Sequence, residues 1–514
     1  MATSVASALN WWARTKGDQP AVVLGEDQLT YRELRNWSGR VARRLVESGV
    51  RPGDRVGVLG GNSLDWTAAA YGVIKAGAVL VPLNPRLVPV ELHKLIEESG
   101  ATAVLAEATR EAALTEVAEL GARFAVTGFD AVADLRVGTG DEDFRLDREP
   151  DEPVAILFTS GSTGLSKGVI CTNRTLLDIV FEASLVEEGL RPGARSLLLL
   201  PLCFTPGLVW GLVMSTVLGG TLVVEPDLNP SRAVRRLDEF KIQVIFGVPL
   251  IFEALARAPE FAGADLSQLR TAVVGGAAVP MPLLAAWAEK GVALRQIYGM
   301  TEVGGIATAT WPSEAGEHPG SCGSGSVFTD LKVVRADGTE CPPGEAGEIL
   351  MRGPGMTVGY WEDPDSTALA LRDGWLHSGD LGVRDAQGRL TFVDRMKDLI
   401  ISGGINISPV EIEAVIGRHP GVSEVAVIAA SDERFGETPA AIVSVTGSAS
   451  GSDTEPVSVA ELIRTCRAQL ADYKVPRYVV LREEPLPRLP SGKISKRAVR
   501  DEYPDVTARF EKIS

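Results

Sequence analysis

The sequence predicts an α/β protein. A large N-terminal domain of layered α/β subdomains carries a β-rich section and is followed by a small C-terminal α+β domain. Three observations predict it. Residues 55–59, 64–76 and 77–82 read as strand, helix and strand, a βαβ unit with a right-handed crossover. The turn that opens this unit, Arg51-Pro-Gly-Asp-Arg55, recurs as Arg191-Pro-Gly-Ala-Arg195, ahead of a second strand, buried helix and strand through Val224. Two such units suggest an internal duplication, although two similar turns can also arise by chance. Finally, short strands and turns begin at Gly320, and alternating strands and helices return after Arg395. With 514 residues, the chain is too long for one core. The expected domains are 1–395 and 396–514.

Taken in order, residues 101–125 add a strand and a helix, and 137–151 form an acidic connection. The apolar run 154–158 reads as a buried strand. Residues 196–224 contain no charge, a length that could span a bilayer. Pro201, Pro206, Gly207, Gly219 and Gly220 interrupt it, so strand, loop, short buried helix and strand is the expected structure. Strands are expected at 241–246, 269–274 and 294–297. Asp337-Gly338 and Gln387-Gly388 mark hairpin turns between short strands. In the C-terminal domain, 409–417 starts a helix, 422–429 reads as a strand, and the Gly/Ser-rich stretch 446–453 reads as a surface loop.

Bulk composition excludes several functions. The net charge of −16 argues against a nucleic-acid partner, because phosphate backbones demand a basic face. The five cysteines are scattered and odd in number, which fits free thiols in a reducing cytoplasm. The four histidines do not cluster, so a His/Cys metal cage is not expected. The N-terminal residues lack the charged and apolar regions of a signal peptide. A cytoplasmic protein without a transmembrane segment is expected. Its quaternary state is left open, a homodimer among the options.

After the 154–158 strand come Thr159, Ser160, Gly161, Ser162, Thr163, Gly164, Leu165, Ser166, Lys167 and Gly168. Glycines let the backbone bring N–H groups close to an anion, hydroxyls add donors, and Lys167 adds charge. This is a phosphate-gripping composition, although the Gly-x4-Gly-Lys-Ser/Thr pattern of the common nucleoside triphosphatases is missing. A flexible turn between two strands would look similar. Gly275-Gly276-Ala277-Ala278 closes another strand and is a candidate binding edge, since ligands in α/β sheets lie beyond the strand carboxyl ends. Simple tight packing is the alternative there.

Five segments in order, Thr159–Gly168, Tyr298–Glu302, Trp375–Asp380, Asp394–Asp398 and Pro490–Lys493, resemble those of the adenylate-forming superfamily. That superfamily includes acyl-CoA synthetases, peptide-synthetase adenylation domains and beetle luciferases. The resemblance covers nearly the whole chain. It implies two half-reactions: a carboxylate attacks the α-phosphate of ATP and pyrophosphate leaves, then a thiol attacks the acyl adenylate. The substrate supplies the nucleophile, which agrees with the lack of a Ser, Cys or His triad. Positioning and charge stabilisation must then supply the catalysis.

The resemblance also implies residue roles. The run from Thr159 to Lys167 cradles the β- and γ-phosphates, with Ser166 standing where the family often has Pro. Tyr298 packs beside adenine, with Gly276 and Ala277 on the other face. Within the same motif as Gly299 and Met300, Thr301 touches the α-phosphate and Glu302 holds Mg2+. Asp380 accepts from the ribose hydroxyls, Arg395 reaches the ribose side, and His377 is structural. Lys397 occupies a hinge at 396–398 that makes the small domain mobile. Lys493, in the 489–494 loop, bridges the attacking carboxylate and the α-phosphate as the catalytic cation. Gly403 and Gly404 lie beside the pantetheine tunnel of coenzyme A.

Phe204 and Thr205 fall where peptide-synthetase domains carry an acidic partner for an amino group. Thr205 has no charge, so a non-amino acid is expected. Many acyl-CoA ligases have His where Phe204 stands. Phe204, Thr205, Val248 and the stretch 303–306, with Gly304, suggest an apolar pocket lined by small residues. A medium-chain, branched, alicyclic or aryl acid would fit. The expected activity is an ATP- and Mg2+-dependent acid–CoA ligase. A carrier-protein ligase, a luciferase-like oxygenase and a non-catalytic nucleotide binder are the rivals.

Overall fold

The computed structural model describes every residue except 1–2, 139–142, 160–165, 277–278, 309, 403–404, 433, 446–456, 490–491 and 514, and it leaves the side chains of 397 and 406 undescribed. The expected 446–453 loop thus lies outside the described residues. The chain forms two compact units, 1–331 with 350–377 and 332–349 with 378–514.

The first unit holds two sheets. One runs in the order Leu294–Gln296, Thr271–Val274, Val244–Gly247, Arg195–Leu198, Thr221–Val224, Pro20–Leu24 and Asp27–Thr30. The other runs Ala125–Gly128, Ala101–Ala106, Arg55–Leu59, Val79–Leu83, Pro153–Thr159 and Lys167–Thr172. In both, only the final pairing is antiparallel. Parallel strands need both faces covered, which explains their unbroken apolar runs. Helices Val5–Thr15, Tyr31–Glu47 and Leu64–Lys75 share one core with both sheets, including the fully buried Trp37, Trp66 and Tyr71.

The two βαβ units open and close on closely similar backbone hydrogen bonds. Gly53 and Gly193 adopt φ of 88° and 85°, a region that favours glycine. Gly53 N–H donates to the Gly77 carbonyl at 2.8 Å, and Gly193 N–H to the Leu218 carbonyl at 2.9 Å. Val79 N–H donates to Asp54 O at 2.8 Å, and Thr221 N–H to Ala194 O at 2.9 Å. Their helices differ. Leu64–Lys75 is α-helical, whereas Pro206–Val213 winds as a π-helix before an α-helical turn at Met214–Val217.

The strand expected at 241–246 starts only at Val244. Lys241 sits at φ 47° and donates its N–H to Asp238 O at 3.1 Å, closing helix Pro230–Glu239 instead of opening the strand.

The second unit has a sheet of Ile405–Ile407, Ile400–Ser402, Gly436–Val445 and Val422–Asp432, with Tyr478–Arg482 added in parallel to Gly436–Val445. Both expected hairpin turns are present. Gly338 (φ 82°) donates to Arg335 O at 2.9 Å, and Gly388 (φ 83°) to Asp385 O at 3.0 Å. No described helix is long and apolar enough to cross a membrane.

Lys75 is a testable oddity of the core. It is fully buried, and its Nζ donates to the Arg35 carbonyl at 2.7 Å. Burial, reinforced by Arg35, pulls its ammonium down from 10.5 to about 7, against the opposing pull of Asp143. Below pH 7 both folded and unfolded chains hold the proton, and the full penalty of burying the charge is present. Between 7 and 10.5 only the unfolded chain holds it, so this group's contribution to stability rises with pH across that window. Lys75→Met should therefore raise Tm at pH 7, and calorimetry should find a smaller gain at pH 10. An equal or larger gain at pH 10 contradicts the assignment.

Candidate active site

In the first unit the site grows from the edge strand Lys167–Thr172. This strand pairs antiparallel with Pro153–Thr159, Thr159 facing Lys167, so the glycine- and hydroxyl-rich run connects two sheet strands. The segment around Tyr360 lies on the edge strand's open side. Ile170 N–H donates to Gly359 O at 3.1 Å, and Trp361 N–H to Gly168 O at 2.7 Å. Gly168 permits this approach, since a Cβ there would lie 2.7 Å from Ile156 and 3.2 Å from Trp361. Tyr360 then faces Lys167, whose Nζ sits 4.8 Å from the ring centroid. Its hydroxyl donates to Glu302 Oε1 at 2.9 Å.

Glu302 is buried within a tight turn after strand Leu294–Gln296. Gly304 and Gly305 adopt φ of 71° and 103°. Gly304 N–H donates to Thr301 O at 3.0 Å, and Gly305 N–H to Met300 O at 2.9 Å. Gly299 has no room for a side chain, because a Cβ would come within 2.3 Å of Gly305 O. Tyr298 is buried, and its N–H donates to Thr308 Oγ1 at 2.7 Å. The Thr301 hydroxyl shares a 2.8 Å hydrogen bond with Thr205. Residues far apart in sequence thus bring Thr159, Lys167, Thr205, Thr301, Glu302 and Tyr360 into one neighbourhood.

The electrostatics agree with a buried carboxylate at its centre. Burial and then the Glu302 charge push the Cys171 thiol up to about 12. The same two causes, in the same order, hold the Tyr360 hydroxyl well above the ordinary tyrosine range, so it stays a donor. Phe204 and Val248 are half-buried, Thr205 and Gly304 are buried, and Gly276 (φ 82°) is exposed at its strand end.

In the second unit, Asp380 and Arg395 face each other across an antiparallel pair and approach to 3.6 Å. Asp380 is buried, its N–H donating to Ser378 Oγ at 3.0 Å. Asp394 takes a 2.8 Å bond from the Ser408 hydroxyl and a 3.2 Å bond from Val410 N–H, fixing the start of helix Pro409–Ile416. Asp398 pairs with Arg500 at 2.8 Å. Lys493 rides a turn in which Gly492 (φ 87°) donates to Leu489 O at 2.8 Å and Leu489 N–H donates to Lys493 O at 2.7 Å. Its side chain keeps an exposed surface. Surrounding protein, and then the Arg395 guanidinium, lower its ammonium below the ordinary lysine range, while Asp380 opposes them.

Of the residues singled out in the sequence, Ser160, Gly161, Ser162, Thr163, Gly164, Ala277, Gly403 and Gly404 lie outside the described residues, as does the Lys397 side chain. Tyr360 was missed. Its only sequence signal is an aromatic pair after a glycine, Gly359-Tyr360-Trp361, in a turn-rich stretch.

Two largely parallel α/β sheets with a buried acid and Lys167 on either side of Tyr360, and a second α+β unit, are the architecture in which an enzyme class can be named. The chain belongs to the AMP-binding enzyme family. That family's model matches residues 9–361, and the model of the AMP-binding enzyme C-terminal domain matches 411–493. Among curated relatives, a feruloyl-CoA synthase of Amycolatopsis sp is 38% identical over 96% of this chain and 97% of its own. The long-chain-fatty-acid–CoA ligase FadD13 of Mycobacterium tuberculosis is 35% identical over 93% of each. Among solved structures, the o-succinylbenzoate CoA synthetase of Bacillus subtilis bound to its acyl-adenylate intermediate superposes with a TM-score of 0.86, at 30% identity over 96% of this chain and 98% of its own. The same enzyme with ATP and magnesium ion gives 0.85 at 29% identity, over 96% and 99%.

Proposed function

We propose that the protein is an ATP-dependent acid–CoA ligase acting on a non-amino carboxylic acid. The observation that carries this reading is the Thr301–Glu302 turn, whose buried carboxylate is oriented by Tyr360 beside Lys167. The family membership and the CoA ligases among the relatives support it.

In this reading the acid's carboxylate oxygen attacks the α-phosphorus of ATP, and pyrophosphate departs. Thr301 donates to the α-phosphate, Lys167 and the loop from Thr159 hold the outer phosphates, and Lys493 balances the charge of the attacking and attacked oxygens. Tyr298, Gly276 and Ala277 flank the adenine, and Asp380 and Arg395 hold the ribose. Glu302 fits a magnesium ion, because one carboxylate with phosphate oxygens and waters is ordinary coordination for that metal. When bound, the ion would neutralise phosphate charge. In the second half-reaction the coenzyme A thiolate attacks the acyl carbonyl, and AMP leaves with the carboxylate oxygen. Gly403 and Gly404 would line the thiol's approach. The body 396–514 would turn about Lys397 between the steps.

The acid's pocket would start at Thr205, which is tied to Thr301. Neither Phe204 nor Thr205 offers a charge for an α-ammonium. The five cysteines are free, three of them buried, and a reducing cytoplasm would keep them so. A carboxylic-acid panel monitored by AMP release tests the reading. AMP and an acyl-CoA should appear in equal amounts with CoA present. AMP release that demands a carrier protein, or no AMP with any acid, would refute it.

A further inference from the structure

Resting on the ligase reading, we infer that Trp210 is the end wall of the acid pocket, so that the substrate is compact (aryl, alicyclic or short-chain) and an extended alkyl chain is excluded. Thr205 lies between two fixed points. Its hydroxyl is bonded to Thr301, the residue placed at the α-phosphate that the acid's carboxylate attacks, and its methyl lies 3.2 Å from where a Cβ on Gly305 would stand. The acid's body must therefore run along the 304–306 turn. Trp210 closes that path. Its buried indole N–H donates to the Gly304 carbonyl at 2.7 Å, and the same nitrogen lies 2.7 Å from the Gly305 Cβ position.

The indole is fixed from behind as well. Its ring meets Phe246 with centroids 5.3 Å apart at 46°. The π-helix that carries it packs closely on its surroundings: a Cβ on Gly207 would lie 2.0 Å from Pro201 O, and one on Gly211 3.0 Å from the Leu198 side chain. A π-turn commonly marks a functional position, here by setting one side chain out of α-helical register. Swinging Trp210 aside would break a buried hydrogen bond and leave the Gly304 carbonyl unpaired.

Trp210 also lines, with Ile179, Ala183, Val186 and Ile306, a cavity of ≈ 20 Å³. That admits about one water molecule and no methylene chain. Its two acids do not open it. Glu182 accepts from Phe328 N–H at 2.6 Å and the Thr329 hydroxyl at 2.8 Å, and Glu187 is paired with Arg295. Both are therefore wall, not ligands. Apolar side chains behind the indole would nevertheless suit an alkyl tail once the indole were gone.

The test is a kcat/KM profile for AMP release with CoA over unbranched acids from butanoate to palmitate, together with cinnamate and cyclohexanecarboxylate. Wild-type protein should prefer the compact acids and discriminate against palmitate by at least about tenfold, the factor that a misfitting methylene commands in an apolar pocket. Trp210→Ala should raise dodecanoate relative to cinnamate by a similar factor. Trp210→Phe, which keeps the ring but not the N–H, should retain the wild-type order. Wild-type turnover of palmitate equal to that of cinnamate overturns the inference and leaves the ligase reading intact, whether or not the alanine variant folds. So does a folded Trp210→Ala with an unchanged profile. An absence of AMP with every acid overturns both.

Discussion

Lys493→Ala should lower acyl-adenylate formation by about 10² to 10³, the loss typical of removing one preorganised charge donor from a transition state. Two anions, a carboxylate and a triphosphate, must approach before pyrophosphate can leave. A compact ammonium that touches both relieves that repulsion. Gly492 N–H donates to Leu489 O and Leu489 N–H to Lys493 O, which fixes the backbone from which the Lys493 side chain departs. Arg395 and Asp380 belong to the same unit and act on the ammonium with opposite signs. Because its folded value lies below the ordinary lysine range, the adenylation rate should fall as pH rises through a value lower than 10.5. Lys493→Arg should flatten that alkaline limb while still reacting slowly, since a guanidinium keeps its charge but does not fit a point-charge site. ATP–pyrophosphate exchange across pH measures both effects. A wild-type alkaline limb that persists in Lys493→Arg would remove Lys493 as its source.

Glu302→Gln has the second largest expected effect, a drop in adenylation of about 10² or more, with a raised magnesium requirement. The amide keeps the size of the carboxylate but loses the charge that would hold the ion. Tyr360→Phe separates charge from orientation. It removes only the 2.9 Å bond to Glu302 Oε1, and its effect should be milder, about tenfold or less, as befits a single hydrogen bond. The Lys167 ammonium keeps its aromatic neighbour in that variant. Exchange assays over a magnesium titration should show the apparent magnesium affinity falling in both variants, more in Glu302→Gln. A normal magnesium titration in Glu302→Gln contradicts the metal role.

Much of the fold was legible because its signals are local. The Arg-Pro-Gly turns at 51–53 and 191–193 announce strands within a few residues, and the structure gives them closely similar hydrogen bonds. Apolar runs such as 154–158 could be placed without knowing their partners. Candidate site residues could be singled out where they sit in one contiguous motif, as with Thr301 and Glu302. Tyr360 was not, because its importance arises from a long-range pairing of Trp361 with Gly168, which no nearby pattern encodes. The weight on Trp210 was hidden for another reason. The uncharged stretch around it has no periodicity that would separate a π-turn from an α-helix. The start of the strand at Val244 was misjudged because a non-glycine left-handed residue, Lys241, ends the preceding helix.

The most direct measurement is the second half-reaction in isolation. Synthetic acyl-AMP and CoA are given to Lys493→Ala, and acyl-CoA formation is compared with that of the unaltered protein. The account predicts near-normal thioester formation beside lost pyrophosphate exchange, with Lys397→Pro showing the opposite split. Equal loss of both half-reactions in Lys493→Ala would contradict it.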